Sequence, residues 1–305
     1  MALSTKAIRK SIRSIGNTKK ITKAMEMVAA AKMRKAVMSV LSSRSYANAA
    51  WQMILNLADK VDQNTHPLLA KREKVQNIAI ILITSNRGLC GGFNSQIISF
   101  ALNQVAKDKV ANQPISISWL TLGKKGSDFL ARNQKTIVAD FEKPDLVASA
   151  SEVTTLAKLV AREFQSGIYD KVLVAYTDYK SAMIQKPRVK QLLPLEQTID
   201  TELGSVISAD AQPVEQKEAF EYLFEPNPAE VLNRFLPHLI EIQLYEALLE
   251  SNASEHSARM LAMKNASAAA SDMIDSLTLA YNQARQAGIT REIAEITGGK
   301  AALEQ

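Results

Sequence analysis

No proline occurs among the first 66 residues or the last 68, although nine lie between them, from Pro67 to Pro237. Inside a helix a proline removes a backbone hydrogen bond and clashes with the preceding turn, costing about 3 kcal/mol. Both chain ends are therefore free to form long helices, and the middle is punctuated. The apolar spacing agrees: Ile8, Ile12 and Ile15 lie four and three apart, Met25 and Val28 follow, and Ala47, Trp51, Ile54, Ala58 and Val61 alternate three and four. This is a heptad seam, interrupted at Gly16-Asn17, where a bend or a partner contact is expected. From Leu232, steps of three and four meet Phe235, Leu239, Ile242, Glu246, Leu249, Ala253, His256, Met260, Met263, Ser267, Ala270, Ile274, Leu277, Tyr281, Ala284 and Gly288, mostly apolar. Pro237 predicts a kink or a helix restart. Burying each large apolar side chain contributes about 1.5–3 kcal/mol. Each seam needs a partner, and the simplest partner is the other.

Between the ends, strands alternate with helices. Val75 to Thr84, Ile115 to Leu122, Thr136 to Asp140 and Lys171 to Asp178 read as strands. Ser95 to Lys107, Asp128 to Arg132 and Ser151 to Phe164 read as helices. A Gly-Lys-Lys-Gly turn follows the second strand. Gln185 to Leu195, carrying Pro187 and Pro194, reads as an edge strand, and Phe220 to Phe224 as one more. Residues 196 to 219 read as a surface excursion. Strand, helix, strand in repeated order predicts a mainly parallel sheet covered by helices. The expected organisation is a helix over 1–66, an α/β domain over 67–227 and a second helix with its tip over 228–305.

The net charge of +6 conceals an asymmetry, because residues 1 to 35 carry ten Lys or Arg and only Glu26 as an acid, a local charge of +9. The remainder sums to −3, so whatever meets the first helix is expected to be acidic. One cysteine, Cys90, and three scattered histidines exclude a disulfide within the chain and offer no metal-ligand spacing. The longest apolar run, Ile78 to Ile83, is far short of the ~20 residues that span a bilayer. No apolar leader opens the chain, so export is not expected.

The sharpest local motif is Asn86 to Asn94, with glycines at 88, 91 and 92, between a strand and a helix. In a doubly wound sheet that turn cradles phosphates, but this one matches neither dinucleotide-binding nor P-loop spacing. Cys90 as a nucleophile lacks a base nearby in sequence. The plainer reading is a tight turn packed against a helix or partner. The basic first helix reads as a solvated coiled-coil face or, alternatively, a nucleic-acid contact. His256 reads as a polar residue that sets seam register. The methionines at 25, 27, 33, 260 and 263 read as core fillers that also suit a sliding surface.

Four segments, Lys6 to Ala36, Arg87 to Asn94, Ala253 to Lys264 and Ala284 to Ile296, resemble in that order the gamma subunit of F-type ATP synthase. Asn86 stands where that family usually carries Asp, and the single cysteine means that the paired-cysteine switch of its chloroplast branch is absent. The resemblance implies an α/β protein whose terminal helices form an antiparallel left-handed coiled coil beside a Rossmann-like domain with a mainly parallel sheet. It implies a central-stalk rotor that couples rotation of a membrane c-ring to conformational change in catalytic beta subunits. It further implies no catalytic residue, cofactor or metal of its own. The implied partners are an alpha3-beta3 hexamer, an epsilon subunit and the c-ring, with one copy of this chain per complex and no nucleic acid. The implied location is the cytoplasmic face of a bacterial plasma membrane, as a peripheral protein. The implied hexamer contacts are Met25, Lys32, Arg34, Arg259, Gln286, Thr290 and Glu292. Arg87, Gly88, Cys90, Gly91, Gly92 and Phe93 form an interface turn. The small, apolar end from Ile289 through Ile293 and Ile296 to Leu303 suits a shaft turning in a sleeve. From the residues alone, a nucleotide-binding enzyme using the 86–94 loop and a basic adaptor or nucleic-acid binder stay open.

Overall fold

The computed structural model describes residues 5–58, 66–70, 72, 74–110, 115–147, 149–195 and 227–303. In chain order they form α1 (Thr5–Ala58), β1 (Asn77–Ile83), α2 (Phe93–Val110), β2 (Ser116–Leu122), α3 (Lys124–Arg132), β3 (Ile137–Phe141), α4 (Ser151–Gln165), β4 (Lys171–Tyr179), β5 (Gln185–Leu193) and α5 (Pro228–Leu303). The terminal helices pack together, and the residues divide into two units that cut across both of them: Met1–Ala29 with Met260–Gln305, and Ala30–Arg259.

Within the larger unit the strands lie in the order β3-β2-β1-β4-β5. The first four are parallel, and β5 runs antiparallel to β4 at the edge, where the strand containing Pro187 was expected. A strand turns successive side chains to opposite faces, and the core divides accordingly. Ala79, Ile81 and Ile83 of β1 face one way, with Val153, Leu156, Val160 and Phe164 of α4, Leu239 to Leu249 of α5, and Ala36 and Val40 of α1. Ile78, Ile80 and Leu82 face the other way, with Ile97, Ile98 and Ala101 of α2 and Leu130 of α3. Because β1 is covered on both faces, its sequence is continuously apolar rather than alternating.

Four local details depart from expectation. The Gly-Lys-Lys-Gly turn is the start of α3. Gly123 precedes that helix at φ 114°, with the Thr84 carbonyl oxygen 2.2 Å from where a Cβ would sit, so only glycine fits. Pro237 lies inside α5, which does not restart there. The carbonyl it deprives of a partner belongs to Asn233, an exposed residue open to solvent. In α1, Val28 is 57 % exposed and Ala29 takes the seam position instead. Gly16 does not interrupt the helix, which continues through it.

In the smaller unit Ile8 and Ala29 are buried and Ile12, Ile15 and Met25 half-buried on α1. On α5 Met263, Ser267 and Ala270 are buried, and Ile274, Leu277, Tyr281 and Ala284 half-buried. The spacing of three and four is therefore the packed stripe. From residue 285 to residue 299 every position of α5 is exposed. The expectations for Val61, for residues 196–219 and for Phe220 to Phe224 lie outside the described residues. So do those for the side chains of Ala47, Trp51, Ile54, Ala58, Leu232, Ala301, Ala302 and Leu303.

Candidate functional site

In an open α/β sheet, ligands bind beyond the carboxyl ends of the parallel strands, where the strand order reverses. Here that point lies between β1 and β4. One stretch of α5, Asn252 to Arg259, is hydrogen-bonded into it. Ser254 Oγ donates to the Thr177 carbonyl near the end of β4 (3.1 Å), and Ser257 Oγ to the Ala182 carbonyl in the β4–β5 turn (2.7 Å). Asn252 Nδ2 donates to the Pro144 carbonyl (3.2 Å), and His256 Nε2 lies 3.0 Å from the Asp145 carbonyl, both in the segment after β3. Arg259 Nη2 donates to the carbonyls of Arg87 and Gly88 in the loop after β1 (3.2 and 3.4 Å). The crevice that would take a nucleotide is occupied by the chain's own helix, and two carbonyls of the glycine-rich loop are turned onto a guanidinium. These contacts argue against phosphate binding at the 86–94 loop.

An ionic cluster lies beneath these contacts. The side chains of Lys143 and Glu255 are 1 % and 3 % exposed and are joined by an ion pair from Lys143 Nζ to Glu255 Oε2. Arg259 Nη1 takes the other oxygen, Oε1, at 2.8 Å. Burial pushes the Glu255 carboxyl up, but the charges and hydrogen bonds of Lys143 and Arg259 together hold it below the ordinary carboxylate range. Lys143 Nζ also stands 5.8 Å from the centre of the Phe93 ring, and its carbonyl accepts from Asn86 Nδ2 at 2.6 Å. The amide of Asn86 thus binds the strap after β3. His256 is buried, and desolvation lowers its affinity for a proton, so the ring is held neutral between Asp145 and Arg259. Asp145 in turn pairs with Lys32 of α1, Nζ to Oδ2 2.9 Å.

Of the expected contact residues, Arg259, Arg87 and Gly88 meet directly, and Lys32 joins the same cluster through Asp145. Arg34, Arg87, Gly88, Gly91 and Gly92 are exposed. Cys90 and Phe93 are buried and support the turn from within: the Asn94 amide donates to Cys90 Sγ (3.3 Å), whose neighbours Ser85 and Asn94 supply no base. Met25, Gln286, Thr290 and Glu292 belong to the smaller unit, with Met25 half-buried and the other three exposed. The sequence reading missed Lys143, Asp145, Asn252 and Glu255. Glu255 and Arg259 stand four apart on one helix face, a legible pair. Nothing local marks Lys143.

The family model for ATP synthase matches residues 4–303. Among curated relatives, the ATP synthase gamma chain of Pelotomaculum thermopropionicum is 43 % identical over 99 % of both chains, and that of Opitutus terrae 39 % identical over 98 % of both. Among solved structures, the central stalk and c-ring of the Tetrahymena thermophila mitochondrial ATP synthase contains a similar chain. It has a TM-score of 0.58 and 25 % identity, covering 81 % of this chain and 99 % of that one. A chain of the Euglena gracilis mitochondrial ATP synthase rotor shares the fold at a TM-score of 0.61 and 20 % identity, over 93 % and 98 %. With coverage end to end and the terminal helices packed together, the chain belongs to the ATP synthase gamma-chain family.

Proposed function

We propose that this chain is the central rotor shaft of an ATP synthase and holds no catalytic centre itself. The observation that carries the reading is the unpartnered end of α5. Exposure persists over residues 285–299, including Ile289, Ile293 and Ile296 at 48 %, 59 % and 74 %. A helix end carrying apolar residues, with no partner in its own chain among the described residues, fits a sleeve supplied by other subunits. Gln286, Thr290 and Glu292 stand on that end, and on α1 every basic residue from Lys6 to Lys35 except Lys32 is exposed. Basic and apolar surfaces together suit a ring of catalytic subunits bearing acidic levers. The attraction is short-ranged, with a Debye length of about 8 Å at physiological salt.

The rotor acts by differential contact. A surface that differs around its axis stabilises different states of the surrounding sites as it turns, and each site changes state only as far as those contacts differ. The partners of this reading are an alpha3-beta3 hexamer, an epsilon subunit and the c-ring, one copy of this chain serving each complex. No described helix is long and apolar enough to cross a membrane, and a peripheral place on the cytoplasmic face of a bacterial plasma membrane accords with that. The test is native purification through a tag on this chain. Two ATPase-type subunits in a 3:3:1 ratio with it support the reading, and their absence overturns it.

A further inference from the structure

The buried ion pair between Lys143 and Glu255 carries an inference beyond the shaft itself. Glu255 has two carboxylate oxygens and two cationic neighbours, and each oxygen serves one of them: Oε2 binds Lys143 and Oε1 binds Arg259. Arg259 has five N–H donors in a rigid fork. One arm is spent on Glu255, and the other reaches the carbonyls of Arg87 and Gly88. A guanidinium facing an undivided carboxylate prefers both oxygens, the bidentate geometry. Here Lys143 holds one oxygen, and Arg259 takes only the other.

We propose that Lys143 is a positioning residue: by occupying one oxygen of Glu255, it leaves Arg259 a single carboxylate bond and turns the remaining arm onto the loop after β1. The loop Arg87 to Gly92 is thereby tied to α5 through a residue 56 positions away in the chain from Arg87. Lys143 has a second hold at the end of the same loop, its ammonium lying over the ring of Phe93, the first residue of α2. The geometry accounts for a buried lysine at the mouth of the sheet, where an apolar residue would fill the space at no desolvation cost. Its mechanical meaning, that the loop turns with the shaft, rests on the rotor reading. The tether itself does not.

The test is hydrogen–deuterium exchange of the amides of Phe93 and Gln96, which donate to the loop carbonyls of Cys90 and Gly92, read in the complex isolated through this chain. Lys143→Met leaves Glu255 Oε2 buried without a donor, draws Arg259 onto both oxygens and frees the two loop carbonyls. Exchange at Phe93 and Gln96 is expected to rise about tenfold, the equivalent of two modest hydrogen bonds. Lys143→Arg keeps a cation on Oε2 and is expected to restore protection. The double variant Lys143→Met, Glu255→Gln removes the charge that withdraws Arg259, and exchange is expected to fall back toward the parent. A purely structural lysine predicts the reverse order, with the double variant looser than the single. Unchanged exchange in Lys143→Met, or a double variant looser than the single, overturns the proposal. If Lys143→Met does not assemble, Arg259→Lys is the second probe: it retains a cation for Glu255 without the fork, so protection at Phe93 and Gln96 is lost with Lys143 in place, and retained protection overturns the tether. Failure of the rotor reading shows separately, as absence of the ATPase-type subunits from the complex, and the exchange is then read in the full chain.

Discussion

Lys32 of α1 and Asp145, in the strap after β3, form an ion pair whose Nζ and Oδ2 atoms lie 2.9 Å apart. The Lys32 hydrogen bond, opposed by partial burial and helped by the Lys32 charge, holds the Asp145 carboxyl below its ordinary value. A depressed carboxylate stabilises the fold above its unfolded pKa, and that stability is lost as the pH falls through the folded value. The carboxyl side of the pair is half exposed, so water and salt screen it. Lys32→Met is expected to cost at most about 1 kcal/mol in urea unfolding of the full chain, less in high salt. A larger, salt-independent loss would mean that Lys32 acts through packing.

Glu255 differs from Asp145 because it is buried. Replacing it with glutamine leaves Lys143 charged and buried with no carboxylate, and about 3–5 kcal/mol of stability is expected to go with it. Lys143→Met costs less, because Glu255 keeps Arg259. Urea midpoints of the two single variants check the order, and equal losses would contradict it.

Acid sensitivity should centre on two histidines. Desolvation lowers the proton affinity of both His256 and His66, the latter opposed by a hydrogen bond to Asn233. Protons then go to the unfolded chain first, so the stability they leave intact above pH ~6.5 falls as the pH drops below it. The loss is at most about 1.4 kcal/mol per pH unit per histidine. His256 is surrounded by the Asp145 carbonyl, Arg259, Lys143 and Glu255, so a proton there would add a third cation to the cluster. His256→Gln is expected to reduce the stability lost between pH 7.5 and 5.5, measured by urea midpoint. An unchanged loss would place the sensitivity elsewhere.

Gly16 sits within unbroken α1, and a Cβ built there meets nothing within 4 Å. Gly16→Ala is expected to stabilise the full chain by about 0.5–1 kcal/mol. Because no contact among the described residues accounts for the glycine, a close partner approach is the reading that accounts for it. The same variant is expected to lower ATP-driven proton pumping in the assembled complex. A stabilised chain with pumping unchanged would remove the partner explanation.

The strands are legible because β1 is an apolar run and β2 and β4 are rich in apolar residues, each bounded by polar turns, and the fold class follows from their alternation with helices. The long helices are legible from absent proline and spacing of three and four, since a helix brings those positions onto one face. What the spacing leaves undecided is a choice between neighbours of similar hydropathy, as with Val28 and Ala29, where packing gives the seam to the smaller residue. Gly123 misleads because a glycine at positive φ looks the same in a turn as before a helix. The ionic cluster is the least legible part. Lys143 meets Glu255 across 112 residues, and only the crossing of the β3 strap by α5 brings them together.

The most direct measurement attaches a visible probe to this chain in a complex immobilised through its ATPase-type subunits and follows it under ATP. A rotor predicts stepwise rotation in one direction that stops when ATP is withdrawn. ATP hydrolysis continuing with the probe stationary would contradict it.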